Sequence, residues 1–500
     1  MYPIYTQRLE EILRKHWNDI LIESHSAKTK LTGGELASHI SSMISFWKGL
    51  RINSGAKIAM CIPPGTEWAK LFLAISCSEF TAVSLPGDIC SAINAAYHSD
   101  CDVLYIQPSD LSLIEISKFT DLKYIISIDD HKIMWSSQPC NIQKSFKHLP
   151  DSSHFSATQK NPDDLALLIY TSGSSTHLKG VMLTYRNISS CWYANYERFP
   201  YEEGNVILSF LPINHIFGLM YDLLLPICIG MRVVFLDYPP IPELIIPAIR
   251  YARPDMLFGV PAIIYKLMEE IEKTDSFDIL STCRMITCGG AGVKKEFSER
   301  MIEEWKLPFY IGYGMSECSP TVCVAKADIY EKHSCGIPIS CLEFRIDSED
   351  PMQIPGEIQV KGESLFIGYY KDRETTDRMF TEDGWFRTSD MATISPSGNI
   401  FLQGRMDQQV STAAGKNIYL EDVEAILCDN PVIKDAVVSL HENKLKAYLV
   451  VEKSVEDSIV RELIDKLNAQ HFKGVYISEI VYIDKVERTA KGTVKRNLYT

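Results

Sequence analysis

Basic runs, paired cysteines and unbroken apolar spans are all scarce in this 500-residue sequence. Lys and Arg number 50 against 64 Asp and Glu, a net charge of −14, and no long basic run interrupts the acidity. That balance argues against nonspecific nucleic-acid binding, which needs a concentrated positive field, while leaving room for a local basic pocket. There are 14 cysteines, yet no two stand as CxxC, so a zinc or dithiol signature is missing. The opening residues, MYPIYTQRLEEILRKHW, are amphipathic and charged, unlike a secretion signal or a membrane anchor. Free, mostly buried thiols in a reducing cytoplasm are therefore the expectation. The most apolar long stretch, Ile213 to Leu236, carries His215, Asp222, Pro226 and Arg232. A bilayer interior tolerates those poorly, and we read the stretch as buried protein, with no transmembrane segment.

What is present is an ordinary globular composition, 46% hydrophobic and 23% charged. The length exceeds one compact core and predicts two or three domains. Short apolar runs alternate with helical patterns through roughly the first 400 residues, the rhythm of α/β layering. Strands are expected at Lys57–Ile62, Ala82–Leu85, Val206–Leu211, Arg232–Leu236, Met256–Phe258 and Arg284–Cys288, with a helix over Glu67–Ser78. Each strand opens into a loop containing Gly, Pro or Ser, and ligands of open α/β sheets gather where such loops leave the carboxyl ends. From Gly356 the texture changes to hairpin-like strands, GEIQVKG and GNIFLQGR. Beyond Arg405 a helix, two strands, a second helix and a strand make a compact α+β unit. The polar stretch QGRMDQQ marks the boundary.

The stretch YTSGSSTHLKGVMLTYRN, residues 170–187, runs from an apolar strand into a hydroxyl- and glycine-rich loop closed by Lys179. A P-loop, GxxxxGK[ST], places its lysine after a glycine; here Lys179 precedes Gly180, so that pattern fails. The ingredients nonetheless suit a polyphosphate. Thr171, Ser172, Ser174 and Ser175 offer hydroxyls, and Gly173 and Gly180 let backbone N–H groups approach oxygens. Alone, such a loop is equally well a solvated connector.

Other stretches shift that balance. IGYGMSECSP (311–320) places Glu317 just past a tight Tyr313-Gly314 turn, and GWFRTSD (384–390) sets Asp390 after an aromatic pair. GRMDQQVSTAAGKNIYLEDVE (404–424) joins Arg405 and Asp407 to a Gly415-Lys416 loop. With GTEWAKLFLAI, CGGAGV, GEIQVKGESLFIGYYKD and the terminal RTAKGTVKR, they follow the order and spacing of the adenylate-forming superfamily of acyl-CoA synthetases, luciferases and peptide-synthetase adenylation domains. The resemblance covers nearly the whole chain. FLPINHIFGLMYDLLLPICIG and FGVPAIIYKL look most like long- and medium-chain fatty acyl-CoA ligases. Amino-acid adenylation domains carry a Phe-Asp pair near residues 210–220 that grips the substrate amine; here Pro212-Ile213-Asn214-His215 stands there. An apolar acid is therefore the better expectation.

The resemblance implies an α/β fold, with a large multi-subdomain N-terminal domain of mixed sheets and helices (1–403), a hinge (404–407) and a small mobile α+β C-terminal domain (408–500). It implies ATP, Mg²⁺ and coenzyme A: a carboxylate attacks the α-phosphorus, pyrophosphate leaves, and a thiol takes the acyl group. Phosphoryl chemistry is mostly positioning and charge stabilisation. Thr171, Ser172, Gly173, Ser174, Ser175, Thr176 and Lys179 would surround the phosphates. Glu317, with Thr171, would hold Mg²⁺, a hard ion suited to carboxylate oxygen. Gly289, Gly290, Ala291, Tyr313, Gly314 and Ser316 would wall the adenylate, Asp390 would accept from both ribose hydroxyls, and Arg405 would reach ribose or phosphate. His215 matches the mouth of the acyl site, although a lone histidine in an apolar segment is also an ordinary core residue. Asp407 matches the hinge, and Gly415 and Lys416 the loop that approaches pantetheine.

Two departures stand out. The family loop reads [ST]SG[ST]TGxPKG, whereas Thr176 replaces the second glycine and Leu178 the proline. A β-branched residue held at positive φ there would carry about 1–3 kcal/mol of strain. The terminal motif expects T-x-x-G-K-x-x-R, and Thr493 occupies the lysine position, with Lys491 and Lys495 two residues to either side. A lysine's long stem delivers charge from displaced sites, and Lys491 is the favoured substitute. Three readings follow: transfer to coenzyme A, transfer to a separate acyl carrier protein, or a nucleotide-binding homologue with weakened catalysis. A cytoplasmic location is expected, with peripheral membrane contact left open for an enzyme of fatty acids.

Overall fold

The computed structural model describes the chain except residues 1–2, 138–154, 172–177, 200, 237–238, 327, 407–408, 412–416, 442–443, 453–454, 471–475, 489–493 and 500. Compactness divides it into two units. The first contains Met1–Ser172, Leu178–Glu343 and Lys361–Phe380; the second contains Phe344–Val360 and Thr381–Thr500.

Two large sheets build the first unit. At the centre of the eight-stranded sheet, Leu165–Thr171, Thr81–Ser84, Lys57–Cys61, Val103–Ile106 and Tyr124–Ser127 run parallel. Strands Thr81–Ser84, Val103–Ile106 and Tyr124–Ser127 are buried at every position, as expected of parallel strands covered on both faces. Antiparallel strands close the edges: Ile133–Ser136 on one side, Lys179–Thr184 and then Gly368–Tyr369 on the other. The seven-stranded sheet runs Phe309–Ile311, Met285–Cys288, Met256–Gly259, Val206–Ser209, Arg232–Phe235, Ile20–Ser24, Thr29–Thr32. Only its last pair is antiparallel.

Helix Thr66–Cys77 touches strands of both sheets, which explains why Trp68, Leu71, Phe72, Leu73 and Ile75 are all buried. A helix apolar all round belongs in a core. Asn214 also ties the sheets together. Its side-chain amide donates to the Leu85 carbonyl at 2.9 Å, and its own carbonyl accepts from the Ser84 hydroxyl at 2.7 Å. The apolar stretch 213–236 is buried protein, as its polar residues predicted. It forms two short helical turns, Ile216–Gly218 and Leu225–Ile227, joined by the π-helical turn Leu219–Leu224, and then strand Arg232–Phe235. Burial holds the Asp222 carboxyl well above the usual carboxylate range, while Asp222 accepts from the Leu211 amide at 3.1 Å. Among the described residues no helix is long and apolar enough to cross a membrane. All described cysteines are free thiols, most of them buried.

The second unit carries a four-stranded sheet, Leu342–Asp347, Gly356–Gly362, Phe386–Ile394 and Ile400–Arg405. It also holds the two-stranded pair Gln409–Ser411 and Asn417–Tyr419, and a three-stranded sheet Ile433–His441, Lys444–Val451, Ile477–Tyr482. Helices Leu420–Cys428 and Asp457–Gln470 cover one face of the latter, where Val423, Leu427, Val438, Leu445, Ala447, Leu449, Val460 and Ile464 form a core. Strand alternation sends Val437 and Tyr448 to the opposite face, against Tyr499. Compactness thus groups the sheet of 344–360 and 381–405 with the C-terminal segment, whereas the sequence reading drew its line at 404–407.

Candidate active site

Strands Leu165–Thr171 and Lys179–Thr184, on either side of the hydroxyl-rich stretch, pair antiparallel. Register pairs Tyr170 with Gly180 and Thr171 with Lys179, so Lys179 faces Thr171 where the loop begins and ends. The intervening Ser172, Gly173, Ser174, Ser175 and Thr176 lie outside the described residues. Lys179 opens a strand, not a helix, which is why the P-loop spacing fails here. Helix Tyr185–Tyr196 starts six residues later, behind the Thr184 and Asn187 capping box.

From Lys179 the site extends to Glu317 through Tyr369. The Lys179 ammonium lies 5.3 Å from the centroid of the Tyr369 ring, within cation–π range. The Tyr369 hydroxyl donates to Glu317 Oε1 at 2.7 Å. Burial, followed by the Glu317 charge, holds the Tyr369 phenol above its ordinary ionisation range. Tyr369 pairs with Val181 in the edge strand beside Lys179, which explains its reach. Nothing in the residues around it announces this role, because its partner is 52 positions away; the only signal was its place in GESLFIGYYKD.

Glu317 sits in the 3₁₀ turn Ser316–Cys318. The Phe366 amide donates to the Glu317 carbonyl at 2.8 Å, and the Met315 amide to the Pro320 carbonyl at 2.8 Å. A Cβ on Gly314 would stand 2.1 Å from that Pro320 carbonyl oxygen, so only glycine lets the turn close this tightly. Ser316 is buried beside it.

Gly289, expected beside the base, lies close to the turn that follows His215. Strand Met285–Cys288 ends at Gly289, with Gly290 in the left-handed region at φ 81. The Gly312 amide donates to the Cys288 carbonyl at 2.9 Å, which brings the backbone just before Tyr313 alongside. A Cβ on Gly289 would lie 3.1 Å from Gly312 O and 3.6 Å from the Phe217 ring. Gly289 and Tyr313 are buried, Ala291 half-buried and Gly290 exposed. His215 precedes the turn bearing Phe217 and is half-buried. Behind Phe217 the rings of Tyr221 and Phe258 follow at 5.4 and then 4.7 Å. The Tyr221 hydroxyl bonds Asn195 and Thr321 at 2.5 and 2.9 Å. These loops leave the carboxyl ends of strands Leu165–Thr171, Val206–Ser209, Met285–Cys288 and Phe309–Ile311, as the α/β reading anticipated.

In the second unit Asp390 and Arg405 are direct cross-strand partners, with Arg405 Nη1 donating to Asp390 Oδ1 at 3.1 Å. Gly404, one residue earlier, has φ 128. Arg496 of the terminal motif clasps Glu424 in YLEDVE, and Arg488 bridges antiparallel to Val494. Asp407, Gly415, Lys416, Lys491 and Thr493 lie outside the described residues. Among the described residues no group of three or more His, Cys, Asp or Glu could hold a metal.

A family model, AMP-binding enzyme, matches residues 9–370. The chain is 26% identical over 504 residues to the medium-chain fatty-acid–CoA ligase of Escherichia coli (strain K12), covering 96% of this chain and 86% of that protein. It is 27% identical over 381 residues to the long-chain-fatty-acid–CoA ligase of Escherichia coli O6:H1, covering 70% of this chain and 66% of that protein. Among solved structures, ATP-bound MatB from Rhodopseudomonas palustris superposes with a TM-score of 0.85 at 20% identity, over 100% of this chain and 98% of that one. The o-succinylbenzoate CoA synthetase MenE from Bacillus subtilis, with its acyl-adenylate OSB-AMP, gives 0.83 at 21%, over 99% and 98%. Those two likenesses establish the adenylate-forming fold. The chain belongs to the AMP-binding enzyme family, whose CoA ligases use ATP, Mg²⁺ and coenzyme A.

Proposed function

We propose that this protein joins a hydrophobic, fatty carboxylic acid to coenzyme A through an acyl-adenylate. The observation that carries the reading is the convergence of Lys179 and Glu317 on Tyr369, in a chain that matches the AMP-binding family over most of its length. A cation and a carboxylate on one tyrosine suit a metal-bound triphosphate, because phosphoryl transfer asks mainly for positioned charge. Mg²⁺ keeps several waters and takes one or two carboxylates plus phosphate oxygens, so Glu317 alone is a sufficient protein donor. When bound, the ion would neutralise phosphate charge and draw pyrophosphate away as leaving group.

In this reading Lys179 and the hydroxyls of Thr171 to Thr176 bind phosphate oxygens. Gly289, Gly290, Ala291, Tyr313, Gly314 and Ser316 wall the base, and Asp390 and Arg405 hold the ribose. His215 lies beside the acid's carboxylate, and Lys491 supplies the charge that the usual lysine gives. The acyl carboxylate oxygen attacks the α-phosphorus; the α–β bridging bond breaks, and pyrophosphate leaves. The thiolate of coenzyme A then attacks the acyl carbon near Gly415 and Lys416, and AMP departs. Residues 408–500 move about Asp407 between these half-reactions. The fatty-acid preference is supported by the two fatty-acid–CoA ligase relatives and by the rings of Phe217, Tyr221 and Phe258, with Pro212-Ile213-Asn214-His215 where amino-acid adenylation domains carry their Phe-Asp pair.

The test is a screen of straight-chain and aromatic acids, read as pyrophosphate release with ATP, Mg²⁺ and coenzyme A. Turnover rising with alkyl length supports the proposal. Release with none of the acids overturns it, and turnover only with a carrier-protein thiol moves the acceptor.

A further inference from the structure

The edge strand Gly368–Tyr369 raises a question that the nucleotide site alone leaves open. A lysine and a glutamate converging on one triphosphate would, left to themselves, close on each other. An ion pair would hide from the ligand both the cation and the metal-binding oxygen. Among the described residues, however, no carboxylate forms an ion pair with Lys179. Tyr369 lies between, and it is neutral: it donates its hydroxyl proton to Glu317 Oε1 and offers Lys179 only a ring face.

We propose that Tyr369 is a positioning residue that holds the Glu317 carboxylate and the Lys179 ammonium apart for one Mg²⁺–triphosphate group. The inference rests on the ligase reading and deepens it. A phenol donating to one carboxylate oxygen fixes the rotamer and leaves Oε2 for the metal. A cation–π contact restrains an ammonium without cancelling its charge. Tyr369 is itself held firmly. Its ring meets Phe366 edge-on at 4.9 Å, its amide donates to Thr376 Oγ1 at 2.9 Å, and only 4% of it is exposed. The neighbouring acid, Asp372, is occupied in capping helix Arg373–Arg378 through the Thr375 amide at 2.9 Å.

The experiment is calorimetric titration of the full chain with ATP, with EDTA and at stepped Mg²⁺ concentrations. Tyr369→Phe keeps the ring and loses the donor. It should leave metal-free ATP affinity within twofold of wild type and lose about tenfold of the affinity gained from Mg²⁺, as for one charge-assisted hydrogen bond. Tyr369→Leu should also weaken metal-free binding severalfold, and Glu317→Gln should abolish the Mg²⁺ gain. In pyrophosphate–ATP exchange, Tyr369→Phe should raise half-saturating Mg²⁺ while kcat at saturating Mg²⁺ stays near wild type, a split that mere loss of packing would not produce. An unchanged Mg²⁺ dependence in Tyr369→Phe overturns the inference, whatever Glu317→Gln does. If Tyr369→Leu does not fold, Tyr369→Phe decides alone. A wild-type protein that gains ATP affinity from Mg²⁺ yet exchanges with no acid refutes the ligase function and leaves this inference to the binding data. A wild type that binds no ATP refutes both.

Discussion

Arg496→Met probes how the terminal motif is anchored. Arg496 donates to both oxygens of Glu424, Nη1 to Oε1 at 2.6 Å and Nη2 to Oε2 at 2.9 Å, and Nη1 also reaches the Val438 carbonyl at 3.0 Å. The two side chains are 19% and 12% exposed. Methionine keeps much of the stem and removes those bonds, while the carboxylate keeps its 2.8 Å bond from the Val438 amide. Exposed pairs are worth about 0–1 kcal/mol, and breaking a fully buried one costs about 3–5. This partly buried, bidentate pair falls between, at about 2 kcal/mol. Hydrogen exchange resolved by residue reads that locally and requires no all-or-none unfolding of the two units. Amides of strand Ile433–His441 should exchange about 30-fold faster, since about 1.4 kcal/mol is tenfold. The double variant with Glu424→Gln should recover part of the loss, because no charge is then stranded. Unchanged exchange in the single variant, or a coupling below about 0.5 kcal/mol, would refute the reasoning.

Other outcomes follow from the same structure. Gly314→Ala should cost about 3 kcal/mol and depress acid-dependent turnover by distorting the Glu317 turn; a shift in the denaturation midpoint checks it. Burial, with Lys70 nearby, lowers the His131 imidazole from 6.5 to about 4, so the unfolded chain takes up this proton first as pH falls. Stability from this group is therefore full above pH 6.5 and lost between 6.5 and 4, by at most about 3 kcal/mol at 1.36 per unit. Urea titrations across that window should show the loss, and His131→Gln should flatten it. Lys491→Ala should slow the adenylation half-reaction about 100-fold, and more than Lys495→Ala. Equal effects in single-turnover assays would remove Lys491 from its role.

The amino-acid sequence by itself settled the layered α/β plan, because parallel strands buried on both faces must be written as short unbroken apolar runs. Thr81–Ser84 and Met256–Gly259 are such runs, and their ends were legible to within a residue or two. It also carried the order of the motifs, since a turn such as Gly314 to Pro320 needs its glycine and proline at fixed spacing. Tertiary structure alone decided which distant side chains meet. Tyr369 finds Glu317 because an edge strand added beside Lys179–Thr184 carries it there. Asn214 joins two sheets across 129 positions, and Arg496 reaches Glu424 across 72. Local periodicity fixes which face of a strand or helix is buried. How those faces stack, and so which hydroxyl lies between which charges, is set only when the layers close on one another.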